Sequence, residues 1–105
     1  GQWFDVVRWT FFALVIAEEK GVTRDNVAAM LESPDPEIRR LLGVSGDHGP
    51  AMGLDRRWAF EAIRAVGNYG EMFDRHLGAG SPIGLERGPN ALWSGGGLMY
   101  APPIR

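Results

Sequence analysis

The chain has 105 residues, of which 45% are hydrophobic and 23% charged, with a formal net charge of -2. A compact chain of this mass keeps roughly 5,800 Å² exposed out of about 16,700 Å² unfolded, which allows one modest core. The apolar content is too high and the net charge too small for intrinsic disorder. Because the chain has no cysteine, disulfide scaffolds and thiolate metal sites are excluded.

The charge pattern excludes several classes of partner. Eleven basic residues are balanced by thirteen acidic ones, so the chain lacks the basic field that holds nucleic acid. The apolar run over residues 9–17 is shorter than the ~20 residues that span a bilayer, so no transmembrane helix is predicted. No basic region precedes the first apolar stretch, so no signal peptide is expected. The start at Gly1 rather than Met indicates a processed or truncated chain.

The first predicted helix covers about residues 4–20. Nearly every position from 3 to 17 is apolar, and Gly21 supplies the residue type that commonly ends a helix. The run over residues 11–17 is apolar on all sides, which predicts a helix that must be covered from several directions.

Two short helices are predicted next. Thr23 is placed to cap the second helix. The narrow apolar stripe of this helix consists of Val27, Met30 and Leu31. Asp35 is placed to cap the third helix, with Pro36 at its first position and Gly43 after its end.

A loop and a long amphipathic helix follow. Residues 44–53 contain three glycines and a proline, which predicts a loop. Asp55 is placed to cap a helix over about residues 56–77, where apolar residues recur at three- and four-residue spacings. Gly67 and Gly70 each cost up to about 1 kcal/mol relative to alanine, so they allow close helix contact or mark a bend. Close contact is the favoured explanation.

The C-terminal part is rich in glycine and proline but unlike a linker. Trp93, Leu98, Met99 and Tyr100 are apolar side chains that need a surface to lie on. We therefore predict an all-α chain with four main helices and an ordered, Gly/Pro-rich C-terminal tail that wraps over them.

Candidate chemical groups are sparse. Asp47 and His48 are adjacent in the predicted loop, where catalytic groups often lie, but a lone histidine favours an ordinary loop residue. Glu71, Asp74 and His76 could bind a divalent cation weakly, although their spacing matches neither a zinc helix nor a calcium loop. Histidine at a helix C-terminus also has a structural role. No metal ligand, catalytic residue or cofactor is predicted.

Two glycine runs and three serines are further candidates for chemistry. Residues 78–80 and 95–97 could let backbone amides approach a phosphate. Neither run lies between a strand and a helix, as a P-loop or dinucleotide-binding fingerprint requires. Ser45, Ser81 and Ser94 lack a nucleophile-elbow setting. The chain is therefore predicted not to be an enzyme.

Three sets of motifs are more specific than these features. The first is WFDVVRW at 3–9 with AEEKGVT at 17–23, the second is DPEIRRLLGVSGD at 35–47, and the third is VGNYGEMF at 66–73 with RGPNALWSGGGLMYAPPIR at 87–105. In order and over essentially the whole chain, they resemble the C-terminal third of the general L-amino acid-binding periplasmic protein. That family supplies the solute-binding component of polar amino acid ABC transporters.

The resemblance implies a periplasmic parent protein with the two-lobed α/β fold of type II periplasmic binding proteins. In that fold the groups that clamp the amino acid lie earlier in the chain than the WFDVVRW helix. The resemblance therefore implies that residues 1–105 are the C-terminal helical segment, without the ligand site and with a structural or interface role. The implied partners are the missing N-terminal lobes, the ABC transporter permease and, for the full-length protein only, an L-amino acid.

Large aromatic side chains are the candidates for such interfaces. The interface candidates are Trp3, Trp9, Phe12, Trp93 and Tyr100. The helix over residues 4–20 has more apolar circumference than so short a chain can cover, so the isolated chain is expected to self-associate or to exchange domains.

Two other classes of function are kept open. A self-sufficient helical protein-interaction domain could dock a partner through Trp93 and Tyr100. An enzyme, such as a small hydrolase that uses His48 or His76, has the least support in the sequence.

Overall fold

The computed structural model describes residues 2–46, 48–76, 78, 86–88, 91–95, 97, 99–102 and 104. In this part of the chain the helices are α1 (Gln2–Glu19), α2 (Val27–Met30), α3 (Pro36–Leu41), α4 (His48–Ala51), α5 (Trp58–Val66) and α6 (Tyr69–His76), followed by a 3-10 helix at Trp93–Gly95. No strand occurs among the described residues, and the single β-bridge pairs Leu92 with Met99. The prediction of a helical chain is confirmed.

α1 is the central helix and agrees with the predicted span of residues 4–20. It contacts α3, α5 and α6, and every residue from Ala13 to Ala17 is at most 7% exposed. Residues 13–17 of the all-apolar run are therefore covered by other parts of this chain, while Phe11 and Phe12 are partly buried. The helix ends at Gly21, whose φ is 72°, where the N–H of Val22 donates to the carbonyl of Ala17 at 2.8 Å.

Asp35 caps α3 as predicted, but the prediction that Thr23 caps α2 is wrong, because Asn26 is the N-cap residue there and makes no side-chain cap hydrogen bond. Thr23 instead closes the turn before α2. The N–H of Asn26 donates to Oγ1 of Thr23 at 3.1 Å, and the N–H of Thr23 donates to Oδ1 of Asn26 at 2.7 Å. The residues between them form a turn, so α2 itself begins only at Val27. At the start of α3, Oδ1 of Asp35 accepts the N–H of Glu37 at 2.8 Å.

The prediction of a loop over residues 44–53 is wrong in its centre, where α4 forms one helical turn. The ring of His48 lies between two tryptophans, 4.5 Å from the ring centroid of Trp9 and 5.9 Å from that of Trp58. These tertiary contacts hold the segment in a helical turn despite its glycine and proline, since packing routinely overrides weak local propensity.

The predicted helix over residues 56–77 is wrong in its continuity, because α5 and α6 are separated by Gly67 and Asn68. Gly67 has a φ of 85°, so it marks a bend rather than close helix contact. Asn68 and Glu71 then form a capping box, each accepting the other's N–H at 2.9 Å. Gly70 does provide close contact, since a Cβ there would lie 2.8 Å from Cδ of Glu18.

The C-terminal tail packs on the helices where it is described. The N–H of Trp93 donates to the carbonyl of Met99 at 2.9 Å, which closes a loop. Ala101 and Ile104 are buried in the core. Nε of Arg40 donates to the carbonyl of Ile104 at 3.2 Å, which ties the end of the tail to α3.

The dimensions are those of a compact chain. The exposed surface is 6140 Å², close to the roughly 5,800 Å² expected for this mass. The radius of gyration is 13.6 Å, against about 13 Å expected for a folded chain of this length. No helix in the described ranges is long and apolar enough to cross a membrane.

Candidate functional site

A polar cleft of about 410 Å³ lies beside the start of α6. It brings together residues from α1, α6 and the segment after residue 85. Its lining consists of Glu18, Asn68, Gly70, Glu71, Asp74 and Arg87. Ionisable groups from distant parts of the chain meet here, so the cleft is the first place to look for binding or chemistry.

The central group of the cleft is Arg87. Its guanidinium forms a two-pronged ion pair with Glu18, in which Nη2 lies 2.8 Å from Oε1 and Nη1 bonds Oε2. The same guanidinium lies over the rings of Tyr69 and Phe73, 5.4 and 5.7 Å from their centroids. Hydrogen bonding to Glu18 raises the pKa of Arg87 above its ordinary value, against the opposing effect of partial burial.

Gly70 makes room for this ion pair. A Cβ at position 70 would lie 2.8 Å from Cδ of Glu18 and 3.0 Å from Nη1 of Arg87, so a larger residue would displace the pair. The close contact of α6 with α1 therefore depends on this glycine.

Two other polar groups of the cleft, Glu71 and Asn68, bond the backbone. Oε1 of Glu71 accepts N–H groups from Arg24 at 3.0 Å and from Asn68. Nδ2 of the buried Asn68 donates to the carbonyl of Val22 at 2.8 Å. These bonds fix α6 against the turn that follows α1. The polar contacts of the cleft thus join α1, α6 and the segment after residue 85.

The two histidines lie in different settings. His48 belongs to the aromatic cluster with Trp9 and Trp58, and its sequence neighbour Asp47 lies outside the described residues. His76 is exposed at the end of α6, while Glu71 is engaged in the cap. Within the described ranges, no group of three or more His, Asp or Glu side chains could hold a metal ion.

The interface candidates separate into two groups. Trp93 and Tyr100 are each 56% exposed, and their rings contact each other edge to face at 6.1 Å. Trp9 and Phe12 are partly buried against the core, with ring centroids 5.4 Å apart. The side chain of Trp3 lies outside the described part of the structure, as do Ser81, Leu98 and members of both glycine runs.

Sequence reasoning missed two features. Phe4 and Val7 are the most exposed described apolar residues of α1. The sequence does not distinguish them from the buried apolar residues later in the same helix. The Arg87–Glu18 pair joins residues that are 69 positions apart, and no local pattern indicates it.

No protein-family model matches the chain. It is 53% identical to the general L-amino acid-binding periplasmic protein AapJ of Rhizobium johnstonii, over 99% of the chain and 31% of that protein. It is 57% identical to the glutamate/glutamine/aspartate/asparagine-binding protein BztA of Rhodobacter capsulatus, with the same coverage.

A solved structure agrees with these relatives. The chain superimposes with a TM-score of 0.95 and 50% identity on an ABC transporter periplasmic binding protein from Brucella ovis with glutathione bound. The match covers 99% of the chain and 33% of that protein. The resemblance to amino acid-binding periplasmic proteins is therefore confirmed, and the chain spans about a third of the length of these relatives.

Proposed function

We propose that the chain is the C-terminal helical segment of a periplasmic protein that captures L-amino acids and delivers them to an ABC transporter permease. The observation that carries this proposal is 53–57% identity over 99% of the chain to two amino acid-binding proteins. The TM-score of 0.95 to an ABC transporter periplasmic binding protein supports the class of the parent protein.

Within that parent protein, we assign residues 1–105 a structural and interface role rather than the ligand site or an enzymatic one. The polar groups of the cleft support this, since Glu71 and Asn68 bond backbone groups and Arg87 bonds Glu18. His48 supports it as well, because its ring packs against Trp9 and Trp58.

Calorimetric titration of the isolated chain and of the full-length parent tests this division. The probes are L-glutamate, L-glutamine and glutathione, chosen from the ligands in the names of the relatives. We expect binding by the parent and none by residues 1–105. Micromolar binding by the isolated chain would overturn the assignment of the site, and a parent that binds no probe would overturn the transport role.

The alternative is a self-sufficient helical protein-interaction domain. The compact dimensions of the chain and the exposed Trp93–Tyr100 pair favour it. The intact mass of the protein purified from its source distinguishes the two proposals. A mass of 11.5 kDa supports the interaction domain, whereas a mass roughly three times larger, as the 31% coverage implies, supports the transport receptor.

A further inference from the structure

The first two turns of α1 carry apolar side chains that are open to solvent. Phe4 is 58% exposed and Val7 is 49% exposed, whereas residues 13–17 of the same helix are buried. Residues three and four positions apart share a helix face, and the guanidinium of Arg8 lies 5.2 Å from the ring centroid of Phe4. Phe4, Val7 and Arg8 are called the N-terminal α1 face below.

We propose that the N-terminal α1 face is the surface on which the preceding part of the parent protein packs. This inference rests on the proposed function, in which residues 1–105 follow the two lobes, and it names the partner of one defined surface. The proposal commits to an intramolecular occupant rather than to a second copy of the chain or the permease.

The length of the relatives that lies outside the matched segment indicates that the occupant is another part of the same polypeptide. The chain covers 31% of the curated relatives and 33% of the solved binding protein, so most of each protein lies outside the matched segment. In the parent, the preceding polypeptide would join at the first turn of α1, next to Phe4. A tethered segment acts at an effective concentration in the millimolar range, which favours it over any partner in solution.

The energetics of the helix agree with this assignment. Isolated helical turns are marginal in water, and most helical stability in proteins comes from packing of an apolar face. Residues 13–17 of α1 have such packing within this chain. The first two turns would obtain it from the parent, with Asp5 and Arg8 as the polar rim of the contact.

The Trp93–Tyr100 pair is a weaker candidate for the surface on which the preceding part of the parent packs. Its two rings already contact each other, and the loop that carries it is far along the chain from residue 1. It therefore serves as the internal reference for a test on the N-terminal α1 face.

Hydroxyl-radical footprinting of the unmodified chain and of the full-length parent tests the proposal. Phe4 and Tyr100 are similarly exposed in the isolated chain, so both should be labelled there. In the parent we expect labelling of Phe4 to fall at least about fivefold relative to Tyr100. Equal labelling in a parent that binds L-glutamate would overturn this inference and leave the proposed function intact.

Two further outcomes are decisive. If Phe4 of the isolated chain becomes protected as concentration rises and stays exposed in the parent, a second copy is the occupant and the inference is wrong. If Phe4 is protected in a parent that binds no amino acid, the packing surface is supported and the proposed transport function fails.

A double variant provides a second readout. Phe4→Ala with Val7→Ala removes apolar surface and places alanine, the best helix-forming residue, at both positions. We expect the melting temperature of the parent to fall by about 5 °C or more, and that of the isolated chain to change by less than about 1 °C. The same fall in both proteins would show that these residues act within the chain, and would overturn the proposal.

Discussion

Asp35 begins α3 and also ties it to the end of α1. Its Oδ1 accepts the N–H of Glu37 at 2.8 Å, and its Oδ2 lies 3.1 Å from Nζ of Lys20. The backbone hydrogen bond from Glu37, followed by the hydrogen bond from Lys20, holds the pKa of this carboxyl below its ordinary value. The ionised form is therefore the one that the fold favours.

The variant Asp35→Asn isolates the effect of this charge. Asparagine keeps the N-cap, but the ion pair with Lys20 is lost. Since the pKa is depressed in the folded state, the carboxylate stabilises the fold above its ordinary pKa of 3.8, and this stabilisation is lost as the pH falls through the folded value. The melting temperature of the wild type should therefore exceed that of the variant at pH 7, and the difference should shrink as the pH falls below 3.8.

Asp25→Asn is the matched control, because Asp25 lies exposed in the turn before α2. Its melting temperature should follow that of the wild type more closely than the Asp35→Asn value does at pH 7. A gap between wild type and Asp35→Asn that stays constant from pH 7 to pH 2 would contradict the role of the charge.

Single residues of this kind are the part of the fold that sequence predicts well. Asp35, with its following proline, and Gly21 both act on backbone groups within a few positions. Their capping chemistry is local, so the predicted starts and ends of α1 and α3 agree with the structure to within a few residues.

At the scale of elements, the bend between α5 and α6 depends on Gly67. Its φ of 85° is unfavourable for other residues, and a Cβ there would lie 2.9 Å from Oε1 of Glu71. Apolar spacing continues across the bend, which is why periodicity predicted one helix. The motif Asn68-x-x-Glu71 is the local signal of a new helix start. The turn of α4, by contrast, depends on contacts with Trp9 and Trp58 that no local pattern indicates.

Substitution of Gly67 by alanine should destabilise the chain by about 2 kcal/mol. With φ 85° and ψ -173°, the backbone of Gly67 lies in a region that is essentially restricted to glycine and costs other residues on the order of 1–3 kcal/mol. The contact with Glu71 adds to this. Urea unfolding of Gly67→Ala measures the loss. If the variant is as stable as the wild type, residues 56–77 can form the continuous helix that the sequence predicted, and the bend is not required.

Two other glycines separate the cost of the backbone conformation from the cost of the contact made by a Cβ. Gly21 has a φ of 72° and open space at its Cβ, whereas Gly95 has open space and no positive φ. Gly21→Ala should cost roughly 1 kcal/mol through conformation alone, and Gly95→Ala should be close to neutral. The order Gly67, Gly21, Gly95 is therefore the expected order of destabilisation.

At the scale of the whole molecule, the tail is anchored at both ends by arginines. Arg87 bonds Glu18 of α1 near the start of the tail, and Arg40 of α3 bonds the carbonyl of Ile104 near its end. Both contacts join residues more than 60 positions apart, so no sequence pattern could pair them. The sequence did indicate that an apolar tail must lie on the helices, and the resemblance to binding proteins indicated the class of parent.

Loss of the Arg87 anchor should loosen the tail while the helices remain folded. Arg87→Lys keeps a positive charge but loses the planar fork that bonds Glu18 and lies over Tyr69 and Phe73. Charge-assisted hydrogen bonds contribute roughly 1.5–3 kcal/mol, so we expect a loss of about 1–2 kcal/mol in the free energy of unfolding. Hydrogen exchange of the Trp93 and Met99 amides should become faster by at least about tenfold.

Arg64 supplies the matched control, because it pairs with Glu61 on the surface of α5. Their side chains are 62% and 54% exposed, against 25% and 18% for Arg87 and Glu18, and exposed pairs contribute at most about 1 kcal/mol. Arg64→Lys should therefore leave tail exchange unchanged. If Arg87→Lys behaves in the same way, then the bond from Arg40 and the packing of Ala101 and Ile104 hold the tail, and the cleft beside α6 is not its anchor.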